Sequence, residues 1–436
     1  MSEILNVEQR VNVASSDQIC EVENFIAAGG QGEVYRASIA GTPVALKWYY
    51  AQSATSGQKA ALDALIKKGA PSTSFLWPMD LASSEGVPGF GYVMPLREPR
   101  YKSIVDLMKR RIEPSFRSLT TAGREVSDSF LKLHSKGLSY CDISFGNVFF
   151  DPSNGAVLIC DNDNVVVDGQ APVDGIAGTA RFMAPEIVRG EAMPSATSDL
   201  FSLAVLHFYM FMVHHPLEGK KEAAIKCLDL PAMTKLYGHE PVFIFDPIDV
   251  SNRPDTGCHA NALAYWPIYP KFFQQLFIDS FTVGLHSPQK RVRESVWRAA
   301  MERLADLLLY CSHCGKENFH DPHAPFSSCW DCKKQILKPL AMNLGIDRLV
   351  MLNYDTQLFP HHTDEQQSHN FTTPVGAVQR HPTDSRVWGL RNLSTQIWSC
   401  TLADGSVVDV VPGRSITLAA GITIHFGNTN GQIATC

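Results

Sequence analysis

The chain has 436 residues, of which 45% are hydrophobic and 19% charged. That is enough for two or three domains with sizeable cores, and it excludes global disorder. The formal charge of −6 argues against nucleic acid as the main ligand and against a polybasic membrane patch. Four of the eleven cysteines form two CxxC pairs and the rest are scattered. This fits thiols in a reducing cytoplasm better than a disulfide framework. The start, MSEILNVEQR, has no basic opening and no apolar core, so no signal peptide is expected.

Three strands are predicted over residues 19–50: ICEVENFIA, GEVYRASIA and TPVALKWYY. Between the first two lies Ala27-Ala28-Gly29-Gly30-Gln31-Gly32. Glycines there let the backbone approach a ligand, and their N–H groups can face phosphate oxygens; a plain hairpin turn is the alternative. Lys47 stands in an otherwise apolar strand, where a charge is costly unless paired. A phosphate or a carboxylate would be its partner, with an edge-strand lysine as the other reading. Residues 57–68 read as an amphipathic helix. Its Asp63 is the only acid between Ala51 and Met79, and could pair with Lys47 or face solvent. The run FLWPMDLASSEGVPGFGYVMPL reads as two strands around a turn. A helix follows over 118–135, where His134 is read as a capping or core residue rather than a catalyst.

Residues 138–167 begin with a polar loop, Tyr140 to Asn147, and continue as two apolar runs, 148–150 and 156–160, around a turn rich in Asp, Pro, Asn and Gly. The second run ends in Asp161-Asn162-Asp163. A hairpin here would bring Asp142, Asn147 and Asp161 to one end of a small sheet. Two carboxylates and an amide oxygen suit a hard divalent cation and a hydroxyl awaiting deprotonation; a polar loop with chance acids is the alternative. Then come GTARFMAPE and Asp199, which opens an apolar run over 201–213 interrupted by His207. That run is too short to span a bilayer and reads as a buried helix. A loop with Pro and Cys is expected over 246–270, and a basic helix start at Pro288-Gln289-Lys290-Arg291.

Taken in this order, residues 18–309 resemble the eukaryotic-type protein kinase family. Gly29 and Gly32 match the glycine-rich loop, with Ala27 at its usual first glycine. VALK resembles the strand that supplies the phosphate-pairing lysine, and Asp142 with Asn147 meets the catalytic-loop spacing. Asp161-Asn162-Asp163 stands for Asp-Phe-Gly and GTARFMAPE for the substrate-positioning segment. DLFSLAVL resembles the buried helix whose Asp, here Asp199, ties down the catalytic loop. PQKRVRESVW resembles the closing motif, whose Arg291 would pair with Glu186. The resemblance implies that Gly29, Gly30, Gly32 and Lys47 bind ATP, that Asn147 and Asp161 hold Mg²⁺, and that Asp142 accepts the proton of a serine or threonine hydroxyl on a protein substrate.

The departures from the family pattern are Tyr140 and Cys141 for the usual His-Arg, Ser144 for a lysine, and Asp163 for the glycine. Without the arginine, a phosphate on the activation loop lacks its usual partner, so no switching by loop phosphorylation is expected. A helix glutamate is missing unless Asp63 does its work. The expectation is a cytoplasmic serine/threonine kinase, with a pseudokinase scaffold as the alternative. A small-molecule phosphotransferase is disfavoured by GTARFMAPE. FLWPMDLA, GFGYVMPL and the Asp-rich replacement of Phe-Gly resemble a bacterial subset. Those kinases are associated with a von Willebrand A protein and a metal-dependent phosphatase, in triads of tellurite-resistance type.

Cys311-Ser312-His313-Cys314 and Cys329-Trp330-Asp331-Cys332 are two CxxC knuckles, 14 residues apart. Four such thiolates can close a tetrahedral, structural Zn²⁺ site within a ribbon over 310–336. A redox dithiol pair, an iron–sulfur site, or substitution by His313, His320 or His323 are the rivals. Residues 346–436 carry short strands punctuated by turns, an all-β sandwich pattern. Thr363 to Phe371 reads as a mobile polar loop. The run GLRNLSTQIWSCTLADGSVVDVVPGRSITLAAGITIHFG resembles the second half of a forkhead-associated domain, a phosphothreonine-binding family. Trp388 stands where a histidine would follow Ser385-Arg386, so protein docking is expected rather than phosphothreonine binding. The predicted fold class is therefore α+β: a bilobal protein-kinase-like fold, a small zinc ribbon and a C-terminal all-β sandwich.

Overall fold

The structure is a computed structural model that describes residues 3–16, 18–171, 178–324, 328–384 and 386–435. The chain divides into two compact units, one comprising residues 1–267 and 274–298, the other 268–273 and 299–436.

The first unit opens with a closed six-stranded barrel in the order β1-β2-β3-β4-β6-β5. Its strands are β1 (Arg10–Val13), β2 (Ile19–Ala28), β3 (Gly32–Ile39), β4 (Thr42–Tyr49), β5 (Asp80–Ser83) and β6 (Gly91–Pro95). β1, which precedes residue 18, pairs with both β2 and β5 and so closes the barrel. β4 shows how strand alternation places the site. Val44, Leu46 and Trp48 pack into the barrel core with Val11, Tyr35 and Val93. Ala45 and Tyr49 face the other way, against Leu62 and Tyr92, and Lys47 shares their parity.

Leu62 belongs to α1 (Ser56–Lys68), which is capped by the Thr55 hydroxyl accepting from the Gln58 N–H at 3.1 Å. The buried residues of α1 are Gln58, Leu62 and Leu65, a stripe at i, i+4 and i+7. Asp63 lies off this stripe and pairs with Lys67 at 2.5 Å on the surface, so it does not reach Lys47.

After the barrel strands the chain continues with β7 (Lys102–Ser103), α2 (Ile104–Met108), α3 (Phe116–Ser135) and β8 (Leu138–Ser139). The predicted hairpin forms as β9 (Val148–Phe150) and β10 (Val157–Ile159), with Val148 opposite Ile159. β11 (Val166–Val167) pairs with β8. α4 (Pro185–Val188) precedes α5 (Ala196–Met212), whose run from Phe201 to Met212 is buried on every face, as its apolar sequence requires. Two expectations fail nearby. The stretch 246–270 contains a helix, Ala260–Tyr265, and Trp266 stacks on Phe245 at 4.2 Å. Residues Pro288–Lys290 form a 3₁₀ turn, and the helix starts only at Glu294.

In the second unit, strands Leu308–Tyr310 and Glu317–Phe319 pair beside the first knuckle. A six-stranded and a four-stranded antiparallel sheet follow. Met342, Leu390, Trp398, Ile424 and Ile433 belong to their shared core, the sandwich expected from the strand pattern. The last strand, Asn430–Thr435, pairs with Leu340–Asn343. Cys311, Cys329 and Ile336 share a core with Ala341 and Met351. The stretch read as a mobile loop, residues 363–371, holds one 3₁₀ turn, Glu365–Gln367, with His369 on Glu302 at 2.8 Å; just before it a short helix, Pro360–Thr363, carries His362 on Asp306 at 3.0 Å.

Candidate active site

The turn from β2 to β3 is closed by the Gly29 N–H donating to the Gly32 carbonyl at 2.9 Å. A Cβ on Gly32 would lie 2.1 Å from the Trp48 carbonyl oxygen, so β3 can approach β4 only with glycine there. Gln31, in this turn, reaches both β4 and the turn after β10. Its amide donates to Asn164 Oδ1 at 3.2 Å and its Oε1 accepts from Lys47 Nζ at 3.4 Å.

Lys47 is buried and meets two carboxylates, Asp163 Oδ2 at 2.7 Å and Asp161 Oδ1 at 3.3 Å. Burial disfavours its charge, but the fields of Asp163 and Asp161 outweigh it and raise its pKa above the ordinary value. Asp161 has φ 50 and ψ 47, the left-handed region that Asp tolerates better than most residues. The turn beyond it is locked by Asn162, whose amide donates to the carbonyls of Leu76 at 2.9 Å and Ile159 at 3.0 Å. Asp163 accepts a further bond from the Tyr49 hydroxyl. Gln58 Nε2 in turn donates to that hydroxyl at 3.1 Å and to the Asp163 carbonyl at 3.4 Å.

The loop between β8 and β9 carries Asp142 and Asn147. Its first turn is held by Asp199 on α5, which accepts from the N–H groups of Tyr140 at 2.6 Å and Cys141 at 3.0 Å. Cys141 takes φ 69, a strained geometry for a side chain with a Cβ. His134 of α3 bridges Asp199, at 3.1 Å, to Glu294, so the expectation of a structural histidine holds. Tyr140 donates its hydroxyl to the Cys160 carbonyl, which ties this loop to the end of β10. Ser144 is buried and accepts from the Gly146 N–H at 3.3 Å.

Asp142 is braced from two sides. Thr179 Oγ1 donates to Oδ1 at 2.9 Å, and Asn147 Nδ2 donates to the Asp142 carbonyl at 2.8 Å and to Oδ2 at 3.2 Å. Burial lifts the Asp142 carboxyl above its usual range while these donors pull it down; the net direction is upward. Gly178 makes the bracing possible, because it sits at φ 106 and a Cβ there would lie 2.9 Å from the Cys141 carbonyl oxygen. Residues 172–177, on which the expectation about loop phosphorylation partly falls, lie outside the described residues. Further on, Glu186 and Arg291 form the expected pair, with both guanidinium contacts at 2.7 Å.

The structure therefore brings together Lys47 with Asp161, and Asp142 with Asn147. Gly29, Gly30 and Gly32 lie in the turn that carries Gln31 to Lys47. Sequence reasoning missed Gln31, Tyr49 and Gln58, and it read Asp163 only as a lost glycine. The buried stripe of α1, spaced from Leu62 and Leu65, was the available signal for Gln58.

The four knuckle sulfurs lie within 4.8 Å of one another and can hold a metal ion. The two turns share one geometry. In each, the first cysteine N–H reaches a carbonyl five residues on, Cys311 to Lys316 and Cys329 to Lys334, both at 2.9 Å. Gly315 and Lys333, four residues after each first cysteine, take φ 74 and φ 61. Burial works against ionisation of Cys311, but N–H groups of Cys314 and His313 bring its thiol down to about 7. His313 and His323 are exposed, and neither they nor His320 joins the cysteine group. In the sandwich, Arg380 lies over the Trp388 ring at 5.4 Å, and Arg386 pairs with Asp384 at 3.2 Å. Ser385 lies outside the described residues.

Residues 93–253 match the family model of the protein kinase domain. Among similar proteins, the serine/threonine-protein kinase RUNKEL of Arabidopsis thaliana is 30% identical over 92 residues, 20% of this chain and 7% of that protein. Rhodopsin kinase GRK1 of Homo sapiens is 36% identical over 92 residues, 21% of this chain and 16% of its own length. The cell cycle serine/threonine-protein kinase CDC5/MSD2 of Saccharomyces cerevisiae is 29% identical over 137 residues, 29% of this chain and 19% of its own length. These matches support a eukaryotic-type protein kinase domain, with the bilobal fold that such a domain implies. The chain spans less than a fifth of the length of each of these relatives. Among the described residues, no helix is long and apolar enough to cross a membrane.

Proposed function

We propose that this chain is a cytoplasmic serine/threonine protein kinase that transfers the γ-phosphate of ATP to a hydroxyl of a partner protein. The observation that carries the reading is the braced Asp142 carboxylate, with Thr179 on one oxygen and Asn147 on the other. A carboxylate lifted by burial and held in one orientation is suited to accept a hydroxyl proton. Bound Mg²⁺ would neutralise charge on the transferring phosphoryl group. The donor set fits that ion. The Asp161 carboxylate is 46% exposed, and Asn147 spends its amide N–H on Asp142, leaving its carbonyl oxygen free to coordinate. Lys47 would clasp the α- and β-phosphates under the glycine-rich turn at Gly29, Gly30 and Gly32.

In this reading Cys311, Cys314, Cys329 and Cys332 hold a structural Zn²⁺, and the sandwich docks a protein. The partners, carried by the resemblance to the bacterial triads, are a von Willebrand A protein and a metal-dependent phosphatase. Neither nucleic acid nor membrane is a ligand. Incubation with labelled ATP and candidate partner proteins tests the reading against an Asp142→Asn control. Label should fall by about 100-fold in the control, the scale typical of losing a general base. Equal label in both would sink it. Mg²⁺-dependent nucleotide binding without any transfer would leave the pseudokinase scaffold instead.

A further inference from the structure

Lys47 raises a question that the kinase reading leaves open. In that family the lysine on the third strand is held by a glutamate of the neighbouring helix, and the pair must be in place for transfer. Here the helix is α1, and its only acid, Asp63, is on the surface with Lys67. The position that faces inward is Gln58, which is neutral. A buried ammonium with no counter-charge would be strongly destabilising.

Two carboxylates approach Lys47, and their surroundings differ. The Asp161 side chain is 46% exposed and faces solvent, where a cation can reach it. The Asp163 side chain is 0% exposed and sits closer, at 2.7 Å. A sealed carboxylate cannot join a metal's coordination shell without unpacking, so Asp163 is not a third metal ligand. It is instead fastened from behind by Tyr49, and Tyr49 by Gln58. Lys47 and Tyr49 are two residues apart on β4 and so project from the same face. The strand thus presents both a cation and a hydroxyl donor to one buried carboxylate.

We propose that Asp163 is the positioning residue for Lys47, doing from the segment after β10 what a helix glutamate does elsewhere in the family. The proposal rests on the kinase reading of this site. Its consequence is regulatory. The acid that holds the lysine and the carboxylate that faces the metal, Asp163 and Asp161, lie on one locked turn. They move together, and α1 contributes only a neutral amide. Displacement of α1 therefore does not break the ion pair directly, and the lysine is set without a helix swing.

The test transposes the charge. Asp163→Gly should lower kcat by about 100-fold, with a smaller rise in the KM for ATP, because the lysine loses a preorganised orientation. Gln58→Glu combined with Asp163→Gly should recover at least tenfold, since it returns an acid to the buried stripe of α1. A second readout does not depend on transfer. The rate at which saturating fluorosulfonylbenzoyl adenosine labels Lys47 is measured at one fixed pH in the wild type and in the near-isosteric Asp163→Asn, so that it reads the placement of the lysine beside the bound nucleoside. Loss of the carboxylate should change that rate by at least about fivefold, and Asp63→Asn should leave it unchanged. An unchanged labelling rate in Asp163→Asn overturns the proposal, as does a wild-type rate of transfer in Asp163→Gly. If Asp163→Asn does not fold, the double variant decides, and a failure to exceed the rate of Asp163→Gly counts against the proposal. If the wild type transfers no phosphate, the kinase reading fails while the labelling still decides the role of Asp163.

Discussion

His134 sits with one ring nitrogen on Asp199 and the other on Glu294, nearly sealed from solvent. Burial would strip its proton, but the bonds to the two carboxylates win and raise its pKa from 6.5 to about 9. The folded protein thus binds this proton more tightly than the unfolded chain does. The stabilisation is complete below the unfolded value of 6.5 and is lost as pH rises through the folded value of about 9. Its size is on the order of 3 kcal/mol at most. Urea unfolding at a series of pH values should show a decline over that window in the wild type and a flatter line in His134→Gln. Parallel lines would mean that the imidazolium contributes nothing. This pairing was beyond the sequence, because His134 and Glu294 are brought together only by tertiary packing. Asp142, Asn147 and Asp161 were legible because they are close in sequence and a tight hairpin sets their spacing. Gln58, Tyr49 and Asp163 were not, since their contact joins α1, β4 and the turn after β10.

At the scale of elements, apolar runs bounded by turn residues carried most of what could be read. The strand TPVALKWYY was legible as a strand with one costly charge, and the structure adds the face: Leu46 and Trp48 pack into the barrel while Lys47 has the opposite parity. β1 was missed because four residues give too short a pattern, and its partners β2 and β5 supply the evidence for it only once folded. The helix over 294–306 was expected too early, because basic residues at 290 and 291 look like a helix start when one of them is in fact a buried cross-link. Arg291 is 1% exposed at its side chain and donates to Glu186, to the Thr197 carbonyl at 3.0 Å and to the Gly284 carbonyl at 3.0 Å. It therefore ties α4 and the N-terminal turn of α5 to the turn before it. Removing one partner of a buried, bidentate pair leaves the other charge stranded, which costs about 3–5 kcal/mol. Arg291→Ala should lose that much in chemical denaturation. Arg291→Lys should lose part of it, since a point charge cannot make the fork. A loss below about 1 kcal/mol in Arg291→Ala would show that solvent reaches the site.

Across the whole molecule, the two units stand on separate sources of stability. The first contains the apolar barrel around Trp48 and the buried run Phe201 to Met212 of α5. The second combines the sandwich core around Trp398 with a cluster that includes Cys311 and Cys329. A metal bound by four thiolates is worth much of a small domain's folding energy, whereas under the proposed function nucleotide would bind only where Lys47 and Asp161 are formed. Two reagents should therefore act on two different transitions in calorimetry. Mg²⁺ with ATP at about 100 times its Kd should stabilise one by roughly 2.7 kcal/mol and leave the other in place. A zinc chelator, or Cys329→Ser, should lower the other and spare the first. The reagents identify the transitions, which intrinsic fluorescence cannot do, because tryptophans lie in both units, Trp48 and Trp297 in one, Trp388 and Trp398 in the other. A single transition moved by both reagents would mean that the units fold as one cooperative body, and the separation of their cores would then have no thermodynamic meaning.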